Sequence, residues 1–451
     1  MAFPALPDGA ADEALALLRG LLRIDTTNPP AAGAGERPAA DLCATALREA
    51  GIEAEILEAA PRRSNVVARI PGSGTDPPLL LCAHLDVVPA GDGWRHPPFA
   101  AEEEGGFLYG RGAVDMKGFA AQAVTLMRQL RRSGVRLRRD LIFAGVADEE
   151  EGCGLGSGFL VEKHPDKVRA AVALGEIGGF TIHLGGRRIY PIQIAEKGLC
   201  WLRLRAKGEM GHGSLSVPDG AVPAIGGAAA KLGEAQLPAH RSPPFESFFR
   251  ELCRAIGGPA RAAAWLGATP GLLRLLLSLT PDSGLRRTLL ALLSNTAAPT
   301  QLWASSKRNL VPAEASAGVD GRILPGQDLD AFLGELRVVL GERVEIEVER
   351  WHPPVVTRWP HPVFEQLAGA VRAVDPEAVA IPYVIPGFTD ACSWTRLGTE
   401  CFGFAPVVLP KGLDFARLYH AVDERIPLEG FASGTRMLWE ALGRLAAEPG
   451  I

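Results

Sequence analysis

"LIFAGVADEEEG", Leu141 to Gly152, runs seven apolar or small residues straight into four adjacent carboxylates. A run that is apolar on every position suits a strand covered on both faces. Four neighbouring negative charges repel one another unless water or cations neutralise them. Two more runs share the pattern. "LLLCA" (79–83) leads into His84, with Asp86 two residues on, and "AAVAL" (170–174) leads to Glu176. Between them lie stretches with helical spacing. Leu15, Leu18 and Leu22 share one helix face, and Phe119, Ala123, Leu126 and Leu130 share another that Gly134 ends. Buried strands alternating with helices predict an α/β fold with a mostly parallel sheet.

The pattern changes near Lys197. "CWLRLRAKG" (200–208) alternates apolar and polar residues, as a half-exposed strand does. A helical "AVPAIGGAAAKLG" follows, then strands around "TQLWASS" and "EASAGVDGRI", a helix at "DLDAFLGELRVVL" and a strand at "RVEIEVERW". This is the ferredoxin-like order. It predicts a small α+β domain at 196–353, inserted into a discontinuous α/β domain of residues 1–195 and 354–451. Residues 236–299 interrupt the small domain with "PPFESFFREL", "GLLRLLLSL" and "LLALLSN". They predict a few short helices packed on the small domain; the sharper reading is an apolar cover over a substrate tail or partner surface.

The chain has 451 residues, 47% of them hydrophobic, and a formal net charge of −5. That charge gives no global basic field for nucleic acid or an anionic membrane. The longest greasy run, from Leu272, is broken by Arg274 and falls short of the ~20 apolar residues of a spanning helix. The N-terminal stretch lacks a basic n-region and a continuous apolar h-region. The 7 cysteines are scattered without a C-x-x-C. They predict reduced thiols and a cytoplasmic protein.

In open α/β sheets, ligands bind beyond the carboxyl ends of the strands. Three buried strands therefore deliver one histidine and several carboxylates to one edge. "GRGAVDMKG" adds Asp115, set just before the helix of Phe119. Mixed histidine and carboxylate ligands suit Zn²⁺, whereas all-oxygen sites suit Mg²⁺ or Ca²⁺. Singly, each residue has a blander reading: a structural histidine, a helix N-cap, a solvated acidic loop. Their joint placement at strand ends favours a metal site.

"HLDVVP" (84–89), "GRGAVDMKGF" (110–119), "DEEEG" (148–152), "GEIGG" (175–179), "GHGS" (211–214), "NLVPAEASAGVDGRILPG" (309–326) and "HAVDE" (420–424) occur in a recognisable order. In these motifs the chain resembles the zinc-dependent amidohydrolases that include acetylornithine deacetylase, succinyl-diaminopimelate desuccinylase, aminoacylase, carboxypeptidase S and the glutamate-releasing carboxypeptidase. The resemblance implies two Zn²⁺ ions per subunit, for which Co²⁺ or Mn²⁺ can substitute. It implies that Asp115 bridges the ions, with His84 and Glu176 completing one ligand set and Glu150 and His420 the other. Asp86 would orient His84 through its far ring nitrogen. Glu149 would be the general base toward a zinc-bound water, leaving Glu151 without a task and Asp148 as structural support. His212 would help stabilise the oxyanion, from the partner subunit in dimeric members.

By the same resemblance, Arg322 grips the substrate's α-carboxylate, Asn309 bonds that carboxylate or the scissile carbonyl, and Thr389 in "PGFTDACSW" lines the site. Without the motif, Arg322 would read as half of an Arg–Asp pair with Asp320, and Asn309 as a turn residue. The implied activity is hydrolysis of N-acyl-L-amino acids, with the apolar insertion favouring an apolar acyl group. The alternatives are a metallo-dipeptidase or carboxypeptidase, or a metal-dependent binding protein without catalysis. The expected partners are a small-molecule substrate and a second copy of the chain through the small domain as a lid or dimerisation domain, with no nucleic acid and no membrane span.

Overall fold

The computed structural model describes residues 3–29, 34–215, 219–279, 281, 284–413 and 417–448. Two sheets organise them. The first contains β1 (Ala54–Ala60), β2 (Arg63–Ile70), β3 (Leu79–His84), β4 (Leu141–Val146), β5 (Val172–Gly175) and β6 (Arg187–Glu196). The second is made of β7 (Gly198–Lys207), β8 (Thr296–Trp303), β9 (Glu314–Ile323) and β10 (Glu345–His352). The chain returns to the first sheet with β11 (Val355–Val356), β12 (Val379–Ile385) and β13 (Glu400–Gly403).

The first sheet runs β1-β2-β4-β3-β5-β13-β6-β11, and β12 and the short strand Ile182–Leu184 also pair with β6. Its centre is parallel: β3 pairs in parallel with β4 and β5, and β13 with β5. All six residues of β3 and of β4 are buried, as runs without alternation require. Register decides where the site forms. His84 pairs with Val146, and Leu81 with Leu174. The carboxyl ends of three strands therefore reach one edge, His84 level with Val146 and Gly175 two residues short of them.

Helices α1 (Ala10–Leu22), α2 (Arg37–Glu49) and α3 (Lys117–Ser133), with the later helices Pro362–Val374 and Leu428–Ala446, cover one face of this sheet. The α3 helix buries nearly every residue of its first fourteen rather than a single stripe, because it is packed among α1, α2 and the sheet. It ends where Gly134 adopts a left-handed φ of 66°.

The second sheet has the antiparallel order β8-β9-β7-β10, with α4 (Ala221–Glu234) and α8 (Leu329–Leu340) supplying its apolar cover. Strand, helix, strand, strand, helix, strand is the order read from the sequence. The polypeptide passes between the sheets at Lys197 and again between His352 and Val355.

The Leu/Phe-rich insertion differs from the expectation that it packs on the small domain. Its first helix, α5 (Pro243–Ile256), buries Phe245, Phe248, Phe249 and Leu252 against Ile189 and Ala195 of β6 and Ile381 and Val384 of β12. The insertion thus packs on the first sheet, while its later helices also face the end of α4 (Ala221–Glu234) and the start of β8. The physical reason is a partner surface: β6 and β12 present an apolar face there that the second sheet does not cover. Among the described residues, no helix is long and apolar enough to cross a membrane.

Candidate metal centre

His84 terminates β3 and is fully buried. Its Nε2 lies 2.9 Å from Asp115 Oδ1 and 3.6 Å from Glu176 Oε2. The other oxygen of Asp115, Oδ2, lies 3.1 Å from His420 Nε2, which is 3.3 Å from Glu150 Oε2. One carboxylate therefore sits between two imidazoles, each flanked by a glutamate. His84, Glu149 and Glu176 can bring ligand atoms within 4.8 Å of one another, as can His84, Asp115 and Glu150. The expected residues His84, Asp115, Glu149, Glu150, Glu176 and His420 are thus in one cluster, and all but His420 are largely buried.

The donor set fits metal ions. Ligands 2.0–2.1 Å from a tetrahedral ion are about 3.3 Å apart, and the distances here run from 2.9 to 3.6 Å. A further sign is Glu150 Oε1, which is buried and has no hydrogen-bond partner. A buried carboxylate oxygen left unpaired is costly unless a cation or proton meets it.

The electrostatics agree. Burial pushes the Glu150 carboxyl up to about 7 and Glu176 up to about 8, with Asp115 adding repulsion at both. Glu149 is pushed well above the ordinary range by burial, then by Glu176 and Glu150. Asp115 goes the other way. Burial would raise it, but the rings of His420 and His84 donate to it and hold it low. Hydrogen bonds to Asp115 and Glu150 push His420 up to about 10. The protein has gathered four carboxylates where two imidazoles cannot neutralise them.

The four acids of the opening stretch have separate surroundings. Asp148 takes a left-handed φ of 67° and turns inward. Its Oδ1 accepts from Arg63 Nη2 at 3.0 Å and Asn28 Nδ2 at 3.2 Å, and its Oδ2 from the Leu155 amide at 3.0 Å. Glu149 is buried, and its carboxylate makes no hydrogen bond among the described residues. Glu150 meets His420. Glu151 is exposed, and its carbonyl accepts from Arg350 of β10.

Asp86 holds this loop more than it holds the imidazole. His84 Nδ1 is 3.0 Å from the backbone carbonyl of Asp86 and 3.6 Å from its carboxylate, beyond hydrogen-bond range. The carboxylate instead accepts from the amides of Glu149 and Glu150, at 3.2 and 3.1 Å, and from Asn28 Nδ2 at 2.8 Å. The expected ring contact is made by the main chain because the side chain is spent on the two amides.

Glu424 closes "HAVDE" and had no role assigned from sequence. It is fully buried and accepts from the amides of Gly112, Val114 and Asp115 at 3.1, 2.8 and 3.2 Å and from Arg111 Nη1 at 2.8 Å. Arg111 also donates to the carbonyls of Ala421 and His420. The pair ties the Asp115 loop to the His420 loop. His420 itself has φ 54°, an uncommon conformation for a non-glycine residue.

Of the expected substrate residues, Thr389 lines a small cavity together with Glu176, and His212, Asn309 and Arg322 make no contact with the cluster among the described residues. His212 is exposed, pairs across a short bridge with Leu310, and shares its Nδ1 with Ser214 Oγ at 2.8 Å. Asn309 lies beside it, its carbonyl accepting from the Gly213 amide. Among the described residues neither touches the metal cluster. Arg322 forms the Arg–Asp pair, at 2.8 and 3.2 Å to Asp320, and lies 5.2 Å from the Phe388 ring centre. Its Nη1 is buried without a partner. The Thr389 hydroxyl is engaged within the protein. It is buried, donating to Glu196 Oε2 at 2.7 Å and accepting from the Ala391 amide, because Glu196 is a buried carboxylate that needs donors.

The model of the peptidase family M20/M25/M40 matches residues 80–444. Aminoacylase-1 of Sus scrofa is 29% identical over 449 residues, covering 96% of each chain. An N-fatty-acyl-amino acid synthase/hydrolase of Danio rerio is 28% identical over 370 residues, 78% of this chain and 70% of that protein. In fold, the chain is similar to an M20 metallo-carboxypeptidase of Sulfolobus solfataricus, with a TM-score of 0.71 at 19% identity over 96% of this chain and 99% of that one. With four carboxylates and two histidines converging where the family's motifs fall, the chain belongs to the peptidase family M20/M25/M40 and is a metal-dependent amidohydrolase or peptidase.

Proposed function

We propose that the protein is a di-zinc hydrolase that cleaves the amide bond of N-acyl-L-amino acids bearing apolar acyl groups. The observation that carries this reading is Asp115, whose two oxygens divide between His84 and His420. His84, Asp115 and Glu176 would hold one ion, and Asp115, Glu150 and His420 the other. Bound zinc would polarise the scissile carbonyl and make hydroxide available near neutral pH.

The chain's own residues do the rest. Glu149 is buried, unbonded and kept basic by its carboxylate neighbours. It takes the proton from the attacking water and passes it to the departing amine. Asp86 fixes the amides of Glu149 and Glu150, so base and ligand keep a constant separation. The unpaired Nη1 of Arg322 is available to the substrate carboxylate, with Asn309 as a second donor. His212, exposed and away from its own subunit's cluster, would serve the oxyanion of a partner's site in a homodimer built through the second sheet. Residues 196–353 would then be the lid, and residues 1–195 with 354–451 the catalytic domain. Seven free cysteines support a cytoplasmic location.

The apolar acyl preference rests on the likeness to the N-fatty-acyl-amino acid hydrolase and on the Leu/Phe-rich insertion. The test is a panel of N-acetyl, N-lauroyl and N-aromatic-acyl amino acids and dipeptides, with and without a chelator, reading released amino acid. Glu149→Gln should abolish turnover and leave zinc content intact. Faster cleavage of N-acetyl substrates would sink the acyl preference. Faster cleavage of dipeptides would move the assignment to a dipeptidase or carboxypeptidase.

A further inference from the structure

A crevice of about 450 Å³ lies between the end of α4, the insertion helices α6 (Pro270–Ser278) and α7 (Gly284–Ala291), and the start of β8. That is the size of a small-molecule pocket. None of the metal-centre residues lines it. Its walls are apolar at Leu232, Leu237 and Leu290 and carry two arginines, Arg274 and Arg286.

Arg274 is half-buried, and its one hydrogen bond runs from Nη1 to the Leu237 carbonyl at 2.6 Å. Among the described residues no carboxylate pairs with it. Burial pulls its guanidinium below the ordinary value, and the one carboxylate that offsets this is Glu335. Glu335 is already engaged, with His240 on one oxygen and Asn295 on the other at 3.0 Å. Behind the wall lies Lys197, fully buried. Its Nζ donates to the carbonyls of Ala291 and Ser294 and to Thr296 Oγ1, all three on residues that line the crevice. No carboxylate pairs with Lys197 either among the described residues. Apolar walls and a guanidinium with spare donors describe a host for an amphipathic anion.

We infer that this crevice binds an aliphatic carboxylate, with the head group on Arg274 and the hydrocarbon chain along Leu232, Leu237 and Leu290. The proposed reaction consumes one such molecule, the N-acyl amino acid, and releases another, the free acid. The identity of the physiological source rests on that reading, but the site does not.

The test is calorimetric titration of the full-length protein, metal-loaded and chelated. Laurate should occupy one saturable site per chain in both states. Dodecyltrimethylammonium, with the same chain and the opposite charge, should not displace it. Arg274→Met should weaken laurate binding by roughly 10- to 100-fold, the range expected for hydrogen bonds to a charged group, and Arg274→Lys by less. Because Arg274 also holds the Leu237 carbonyl, Leu290→Glu is the second variant; it puts a negative charge in the crevice and should abolish binding with Arg274 intact. N-lauroylalanine titrated into the chelated protein, which cannot cleave it, separates the sources. Tighter binding than laurate assigns the site to substrate, and weaker binding assigns it to product. Absence of saturable laurate binding overturns the proposal, as does equal binding of the cationic amphiphile. So does binding that requires metal and ignores Arg274→Met, since that places laurate at the metal centre. Failure to cleave apolar N-acyl substrates would sink the functional reading alone and leave laurate binding standing.

Discussion

Replacing Glu424 by glutamine should damage the metal centre without touching a ligand. The carboxylate divides its work between two oxygens. Oε2 accepts from Arg111 Nη1 and the Gly112 amide, and Oε1 from the amides of Val114 and Asp115. Glutamine has one oxygen and one amide group. If its oxygen faces Arg111, the amides of Val114 and Asp115 meet a donor in place of an acceptor. If it faces those amides, Arg111 loses the one carboxylate it pairs with among the described residues. Each lost charge-assisted bond is worth about 1.5–3 kcal/mol, and each buried donor left unpaired costs about 1–3 kcal/mol. Removing one partner of a buried ion pair costs about 3–5 kcal/mol. We therefore expect Glu424→Gln to lower stability by roughly 3–5 kcal/mol.

The same change should loosen Asp115, whose amide is one of the four donors. A misplacement of 1 Å can cost about 100-fold in rate. The assays are urea unfolding of the metal-loaded and chelated protein, metal affinity against a chromophoric chelator, and turnover. Arg111→Met and the double variant complete a cycle, and the pair should couple by more than about 1 kcal/mol. Loss of less than 0.5 kcal/mol, together with unchanged metal affinity, would show that Glu424 does not hold the Asp115 loop.

Asp86→Asn should weaken metal affinity or turnover by about 10- to 100-fold, since one of the two loop amides or Asn28 must lose its acceptor; wild-type values in both would refute the loop-holding role. The chelated protein should lose stability as pH rises from 5 to 8. Glu150, pushed up to about 7, and Glu176, up to about 8, keep protons that the unfolded chain releases near 4.5, so their contribution is complete below that value and fades as pH approaches their folded values. His420 has the same sign, holding its proton up to about 10 while the unfolded ring loses it near 6.5; zinc, bound by the deprotonated forms, should flatten the trend, and a urea midpoint that rises with pH without metal would contradict it. Thr389→Val should cost about 1–3 kcal/mol of stability by removing a donor from buried Glu196, with KM unchanged; a KM effect with wild-type stability would restore Thr389 as a substrate contact.

The central sheet was legible because each of its core strands is apolar at every position, which only a doubly covered strand tolerates. The helix of Phe119 was legible in type and end point, though its single predicted stripe understated a helix that is buried nearly all round. The insertion was misplaced for a reason intrinsic to sequence. Phe245, Phe248 and Phe249 announce a buried face, and nothing in their spacing says which apolar surface they meet. Chain order suggested the small domain, whereas the open face of β6 and β12 supplied the partner.

The site was legible to the depth of its ligands and no deeper. His84, Asp115, Glu150, Glu176 and His420 announce themselves by type and motif. The groups that hold them do not, because their partners are remote in sequence. Glu424 reaches back 309 residues to the Asp115 amide, and Arg63 reaches 85 residues to Asp148. The "DEEEG" loop makes the point within five residues. Its four acids are near-identical in chemistry, and local sequence gives each the same charge and almost the same propensity. What separates them is long-range. Arg63 and Asn28 turn Asp148 into a brace, Asp86 fixes the main chain of the next two, His420 claims Glu150, and Arg350 leaves the Glu151 side chain in solvent. Glu149 is set apart because, among the described residues, its carboxylate has no hydrogen-bond partner, in a place where burial and like charge push its pKa up. The residue proposed as the base is thus marked by the hydrogen bonds it lacks, and that is a property of the fold that no single stretch of sequence carries.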